Sequence, residues 1–213
     1  KGHEVFCIMS NWNDGAFISG LNEKNISYKE LRIGFISKTF NWRAISMTLH
    51  QILYYPLLLW NYFMFSKSFK PDVVIHSNFH HLFLLYPVIS KKKYYNIYHS
   101  HESIGNSSFY KKLFLLFSQK IDLFIGVSNY VTKRMIELGV GIHKTKTIHN
   151  GLNPIELAFN NELNQNTEML KIGIVGQIGE WKGHLDLIKA FALLKESYTK
   201  NDVRLFIYGT GDT

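Results

Sequence analysis

The sequence predicts an α/β protein whose strands run parallel and whose chain falls into two unequal halves. Three observations carry this. The segment from Lys171 to Lys195, KIGIVGQIGEWKGHLDLIKAFALLK, reads as strand, glycine-bearing loop and helix in order. Short apolar runs alternate with helical patterns through the first 150 or so residues, and such alternation favours a parallel sheet. Between the halves, from Asn153 to Glu168, the chain turns polar, with Pro154 and the run NNELNQNTE, as a linker does.

In the first half, Val5 to Met9, Val73 to His76, Tyr95 to His99, Leu123 to Val127 and Thr145 to His149 are apolar, β-branched or aromatic runs bounded by turn residues, hence strands. In the second, Lys171 to Val175 ends at Gly176 as a buried parallel strand would. Leu187, Ile188, Phe191 and Leu194 then fall at offsets of zero, one, four and seven, one apolar stripe on a helix that begins near His184. A further strand, Val203 to Tyr208, runs into Gly209-Thr210-Gly211. A parallel crossover is right-handed in nearly all cases, so both glycine-bearing loops, at Gly176 and at Gly209 and Gly211, face one end of the sheet, where open α/β sheets bind ligands. Lys182 and Gly183 stand at the mouth of the helix, where unpaired N–H groups and a partial positive charge favour an anion. A lysine in a helix's first turn opposes the dipole unless an anion shares the site; the plainer reading is an exposed lysine.

The general bounds agree. With 213 residues and 46% hydrophobic content, the chain is long enough for one or two domains with a substantial core. Cys7 is the single cysteine, which excludes an internal disulfide, leaves no C-x-x-C zinc spacing and fits a reducing compartment. The formal net charge is +8, which fits an anionic membrane face or a nucleotide diphosphate, or a simple lysine-rich bias of composition. No nucleic-acid-binding motif accompanies it.

Ala44 to Ser66 contains no charged residue and is long enough to span a bilayer, but His50, Gln51, Pro56 and Asn61 within it argue against that. Ten of the 32 aromatic residues lie between Phe35 and Phe69. They form core helices with an aromatic surface, or a patch that dips into the membrane interface, where aromatics and adjoining lysines are favoured.

His99 and His101 alternate along a strand, so their rings share a side, and His76 lies near the end of a neighbouring strand. The set suits a metal-binding H-x-H pair with Glu102 as ligand or base, a polar contact to a ligand, or a hydrogen-bonded structural pair. No further ligand motif of suitable spacing appears, so no metal is expected. His80 and His81 read as solvated loop residues. Ser128, at a strand-to-helix turn, lacks the second glycine of a G-x-S-x-G nucleophile elbow, because Tyr130 stands there, and reads as the N-cap of a helix running to Leu138. Asn150-Gly151 is a turn closing a strand, with the glycine permitting positive φ.

Several of these segments together resemble a known family. The pattern V-G-Q-I-x-x-W-K-G-H-x-D-L-I-x-A-F-x-L-L, then L-F-I-Y-G-x-G-D, resembles the second domain of family-4 glycosyltransferases, whose usual form is V-G-R-x-x-x-x-K-G, a helix and a G-x-G loop. Lys1-Gly2-His3-Glu4-Val5 is similar to the family's entry to its second strand, and Tyr98-His99-Ser100-His101-Glu102 to its histidine-bearing strand end. Gly126-Val127-Ser128-Asn129 and Ile148-His149-Asn150-Gly151-Leu152 stand at its "VS" and "NG" positions.

The resemblance implies two Rossmann-like domains in the GT-B arrangement: an acceptor-side domain over 1–152, a linker over 153–168 and the start of a nucleotide-sugar donor domain over 169–213. It implies an internal fragment, inactive by itself, lacking about 30 residues in front and the paired-glutamate motif behind. The implied activity is a retaining, metal-independent transfer of sugar from a nucleotide-sugar to an acceptor hydroxyl, saccharide or lipid-linked, in surface polysaccharide or glycolipid synthesis. The implied place is the cytoplasm, at the inner face of the membrane. Lys182 would neutralise the donor diphosphate beside Gly176, Gln177, Gly209 and Gly211, and His101 would reach the donor sugar, with His99 and Glu102 supporting. Gln177 departs from the family's arginine and removes one positive charge. Alternatives are a sugar-nucleotide epimerase or sugar-phosphate synthase of the same fold, a metal-dependent hydrolase using His99 and His101, and a noncatalytic nucleotide-sugar-binding protein.

Overall fold

The computed structural model describes residues 2–11, 15–33, 42–91, 94–102, 108–151, 169–197 and 203–211. The chain divides into two compact units, Lys1–Gly151 and Leu152–Thr213. The expected linker over 153–168 lies outside the described residues.

The first unit runs β1 (Phe6–Ser10), α1 (Ala16–Glu23), β2 (Ser27–Leu31), α2 (Trp42–Phe69), β3 (Val73–His76), α3 (Phe79–Ile89), β4 (Tyr95–Ser100), α4 (Ser108–Ser118), β5 (Leu123–Gly126), α5 (Asn129–Glu137) and β6 (Thr145–Thr147). Its strands form two sheets, β1-β2 and β3-β4-β5-β6, and every pairing is parallel. The predicted strands are present, with ends moved by one or two residues. β2 is an addition that periodicity did not reveal. Its sequence, SYKEL, is polar apart from Tyr28 and Leu31, and three of its five residues are exposed. Such an edge strand forms because β1 offers it a ladder, with Phe6 opposite Ser27 through Ser10 opposite Leu31.

One apolar core holds this unit together, and its centre is aromatic. Tyr98 of β4, Phe114 of α4 and Phe124 of β5 form a triangle of edge-to-face rings with centroids 5.9 to 6.0 Å apart. Phe114 and Phe124 are essentially fully buried, as are Leu82, Ile89 and Ile121. Burying a side chain of this size contributes about 1.5–3 kcal/mol. At the sheet's inner edge Asp122 accepts from the Asn96 backbone N–H at 2.7 Å, which ties the loop before β5 to β4.

The charge-free stretch lies within one 28-residue helix, α2, continuous through Pro56. Among the described residues no helix is long and apolar enough to cross a membrane. The buried side of α2 is partly polar: Tyr55 donates to the Leu84 carbonyl of α3 at 3.0 Å, and the Tyr62 and Tyr94 hydroxyls meet at 3.3 Å. Burial raises the pKa of Tyr62, with Tyr94 adding to the effect.

The second unit contains β7 (Leu170–Val175), α6 (His184–Ser197) and β8 (Val203–Tyr208), with β7 and β8 parallel in register from Leu170 opposite Val203 to Val175 opposite Tyr208. The predicted strand limits hold to within a residue, and α6 runs two residues beyond Lys195.

Candidate functional site

In the second unit the strand pairing does not stop where the strands do. Gly176 N–H donates to the Tyr208 carbonyl at 2.9 Å and Ile178 N–H to the Thr210 carbonyl at 2.8 Å, and Ile178 then bridges Gly211 in parallel fashion. The two glycine-bearing loops are thereby zipped together along their backbones. Only glycine permits this at position 209, because a Cβ there would stand 1.8 Å from the Gly176 carbonyl oxygen. A Cβ at Gly211 would stand 2.9 Å from the Ile178 carbonyl oxygen. Gly176, Gln177, Gly209 and Gly211 are therefore brought together at the strand ends, as the sequence predicted. Gly209→Ala must push the loops apart, and overpacking of this kind costs about 1–3 kcal/mol. In the full-length protein we expect faster amide exchange at Gly176 and Ile178, with exchange in the first unit unaltered.

Lys182 is exposed but sits differently from expectation. It closes a separate 3-10 turn, Glu180–Lys182, whose N–H donates to the Gly179 carbonyl at 3.1 Å. Gly183 follows with φ of 74°, a left-handed conformation that glycine takes without strain. α6 begins only at His184, and its first intrahelical bond runs from Leu187 N–H to the Gly183 carbonyl. The lysine thus precedes the helix by one glycine rather than occupying its first turn. What remains is an exposed cation just before a helix start, in the same connection as the Gly176 loop, an arrangement that suits a phosphate.

His184 reads from the sequence only as the start of the helix. Its side chain is buried, and neither ring nitrogen has a hydrogen-bond partner. A buried imidazole in that state is costly. Its place directly after Lys182-Gly183 at the start of the apolar helix stripe was the available signal.

In the first unit, His99 is the penultimate residue of β4 and His101 follows the strand. Their ring centroids lie 4.6 Å apart, so the predicted pair on one side is present. His99 is half-buried and its Nε2 is unpartnered, whereas His101 is exposed. Burial, and then the neighbouring His101, lower the His99 pKa and favour its neutral form.

His76 does not join them. Its strand position pairs with Tyr98, and paired neighbours point to the same face of a sheet while successive residues alternate. His76 therefore faces away from His99, and there its Nε2 donates to Asn96 Oδ1 at 3.1 Å in the core. Burial lowers its pKa, against the contribution of the Asn96 bond.

Glu102 is exposed, and its backbone carbonyl accepts from Ser100 Oγ at 2.7 Å. Among the described residues no three His, Cys, Asp or Glu side chains stand close enough together to hold a metal ion. His80 and His81 are not loop residues. They form the first turn of α3, where Asn78 Oδ1 accepts from the His80 N–H at 2.7 Å, and burial, then His80, lowers the His81 pKa. Ser128 is the expected N-cap, accepting from Val131 N–H at 3.2 Å. Gly151 follows a strand that ended at Thr147 and does not adopt positive φ, so the proposed reason for a glycine there fails.

Parallel sheets in a mixed α/β chain are also the fold of solved GT-B glycosyltransferases with Rossmann-like domains, and several of those structures match the chain. The profile of Glycosyltransferase Family 4 matches residues 1–156, and the chain belongs to that family. A crystal structure of Anabaena Alr3699/HepE in complex with UDP and glucose is 18% identical, with a TM-score of 0.62, over 96% of this chain and 53% of that one. A glycosyltransferase from Rickettsia africae gives 18% identity and a TM-score of 0.62 over 95% and 52%. The lipopolysaccharide outer core galactosyltransferase WaaB in its apo form gives 15% identity and 0.56 over 91% and 47%. The chain thus spans about half the length of these structures. No curated protein matches the sequence.

Proposed function

We propose that the full-length protein transfers a sugar from a nucleotide-sugar to an acceptor hydroxyl with retention and without a metal. The observation that carries this reading is the backbone-zipped pair of glycine loops, the first of which leads through Lys182 into the start of α6. The structure of HepE with UDP and glucose supports a nucleotide-sugar as donor. On this reading the unit from Leu152 onward opens the donor domain and the unit before it serves the acceptor. Lys182 offsets the charge that grows on the diphosphate as the bond to the sugar breaks, a preorganised electrostatic contribution. His101 contacts the donor sugar, with His99 held neutral beside it and Glu102 following. The acceptor is a saccharide or lipid-linked saccharide, the role is surface polysaccharide or glycolipid synthesis, and the enzyme works in the cytoplasm at the inner face of the membrane.

Gln177 tests the alignment of the donor loop. It is exposed beside Gly176, where the family resemblance expects an arginine. Gln177→Arg in the full-length protein adds a cation at the phosphate site, so it should leave nucleoside diphosphate affinity level or tighten it. The gain should be larger at low salt, because screening weakens an exposed charge interaction. Calorimetry that showed weaker binding by a folded variant would contradict the placement of this loop.

A further inference from the structure

The helix α2 carries large apolar side chains on its exposed face as well as on its buried one. The face packed on the core holds Leu58 and Tyr62 but also Gln51 and Ser66, all 5% exposed or less, and Gln51 Nε2 has no hydrogen-bond partner. Ser66 Oγ returns its hydrogen bond to the Tyr62 carbonyl at 2.6 Å. At 100° per residue, the opposite face carries Leu49, Leu53, Leu57, Trp60 and Met64 in steps of three and four, joined by Ile52. These are large apolar side chains in the open: Leu53 is 74% exposed, Ile52 63% and Trp60 60%. Lone exposed apolar residues are ordinary, whereas a continuous stripe over four turns marks a surface that something covers.

We propose that this face docks on an anionic lipid bilayer, with α2 lying flat in the headgroup region. The charge pattern selects that occupant. From Leu31 to Pro71 the sequence has no acidic residue, while Arg32, Lys38, Arg43, Lys67 and Lys70 are basic. Lys67 follows Met64 on the same stripe and is exposed, as is Lys70. A stretch of sequence with cations and no carboxylate disfavours a second copy of itself and matches anionic headgroups, and an apolar stripe that holds Trp60 and ends in Lys67 suits the interface. The helix lies on the membrane and does not cross it, because its inner face is committed to the protein through the Tyr55 bond to Leu84 and the Tyr62 contact with Tyr94. This surface is independent of the donor loop, so its test needs no nucleotide-sugar.

The experiment is co-sedimentation of the full-length protein with vesicles of phosphatidylcholine mixed with phosphatidylglycerol, and with phosphatidylcholine alone. We expect partition onto the mixed vesicles that weakens as salt is raised. Leu53→Glu combined with Trp60→Glu should reduce partition at least about tenfold, because both side chains leave water on docking. Their exposure in the free protein predicts an unchanged thermal transition. Lys67→Glu should weaken binding to the mixed vesicles and leave any binding to phosphatidylcholine alone untouched. Absence of partition by the folded protein would overturn the proposal, as would equal partition by the double variant. A dimer that dissociates in the double variant, with no vesicle binding by the parent, would assign the stripe to a second copy instead.

Discussion

His101→Ala in the full-length protein should lower sugar transfer by about a hundredfold or more, the usual scale for losing one preorganised polar contact at a reacting centre. The expectation rests on placement. His101 stands just past the end of β4, exposed, with its ring against that of His99. Neither stability nor metal content should change. His99→Ala should act differently, because the His99 ring is half-buried and props its neighbour; thermal stability should fall along with activity. Turnover of His101→Ala equal to the parent would remove this residue from the reaction. Stoichiometric zinc in the parent, lost in either variant, would favour metal-dependent hydrolysis.

Lys182→Ala should weaken nucleoside diphosphate binding by about ten- to a hundredfold, since a hydrogen bond to a charged group is worth roughly 1.5–3 kcal/mol. The lysine is exposed and separated from α6 by Gly183, so its removal leaves the turn and the helix intact. The affinity that remains is that of the backbone N–H groups of the loops and the helix start. Titration calorimetry across a salt series separates the two, because the cationic share is screened by salt more strongly than the short backbone bonds. Equal affinity for parent and variant would mean that the phosphate lies elsewhere.

Legibility followed the local signal. β7 and β8 were placed to within a residue and α6 to within two, because an apolar run, a helical stripe and glycine punctuation coincide within 45 residues of sequence. The zipping of Gly176 and Ile178 to the Tyr208 and Thr210 carbonyls was not legible, since it depends on pairing across the crossover. β2 was hidden because a polar edge strand lacks a burial pattern and owes its existence to β1. The same limit applied to the histidines. Alternation puts His99 and His101 on one side, but only the register of β3 on β4 shows that His76 belongs to the opposite face. Lys182 was displaced from the helix by one glycine with φ of 74°, a single dihedral that sequence spacing does not carry. His184 was legible only as a residue type, because its burial follows from the way α6 rests in its unit.

Turnover of a panel of nucleotide-sugars by the full-length protein, with a chelator present and an acceptor extract supplied, tests the central claim most directly. The proposed function predicts release of nucleoside diphosphate in step with sugar appearing on the acceptor, and loss of most of that release in Lys182→Ala. Binding of a nucleotide-sugar without release or transfer, unchanged by the acceptor, would contradict it and make the protein a noncatalytic binder.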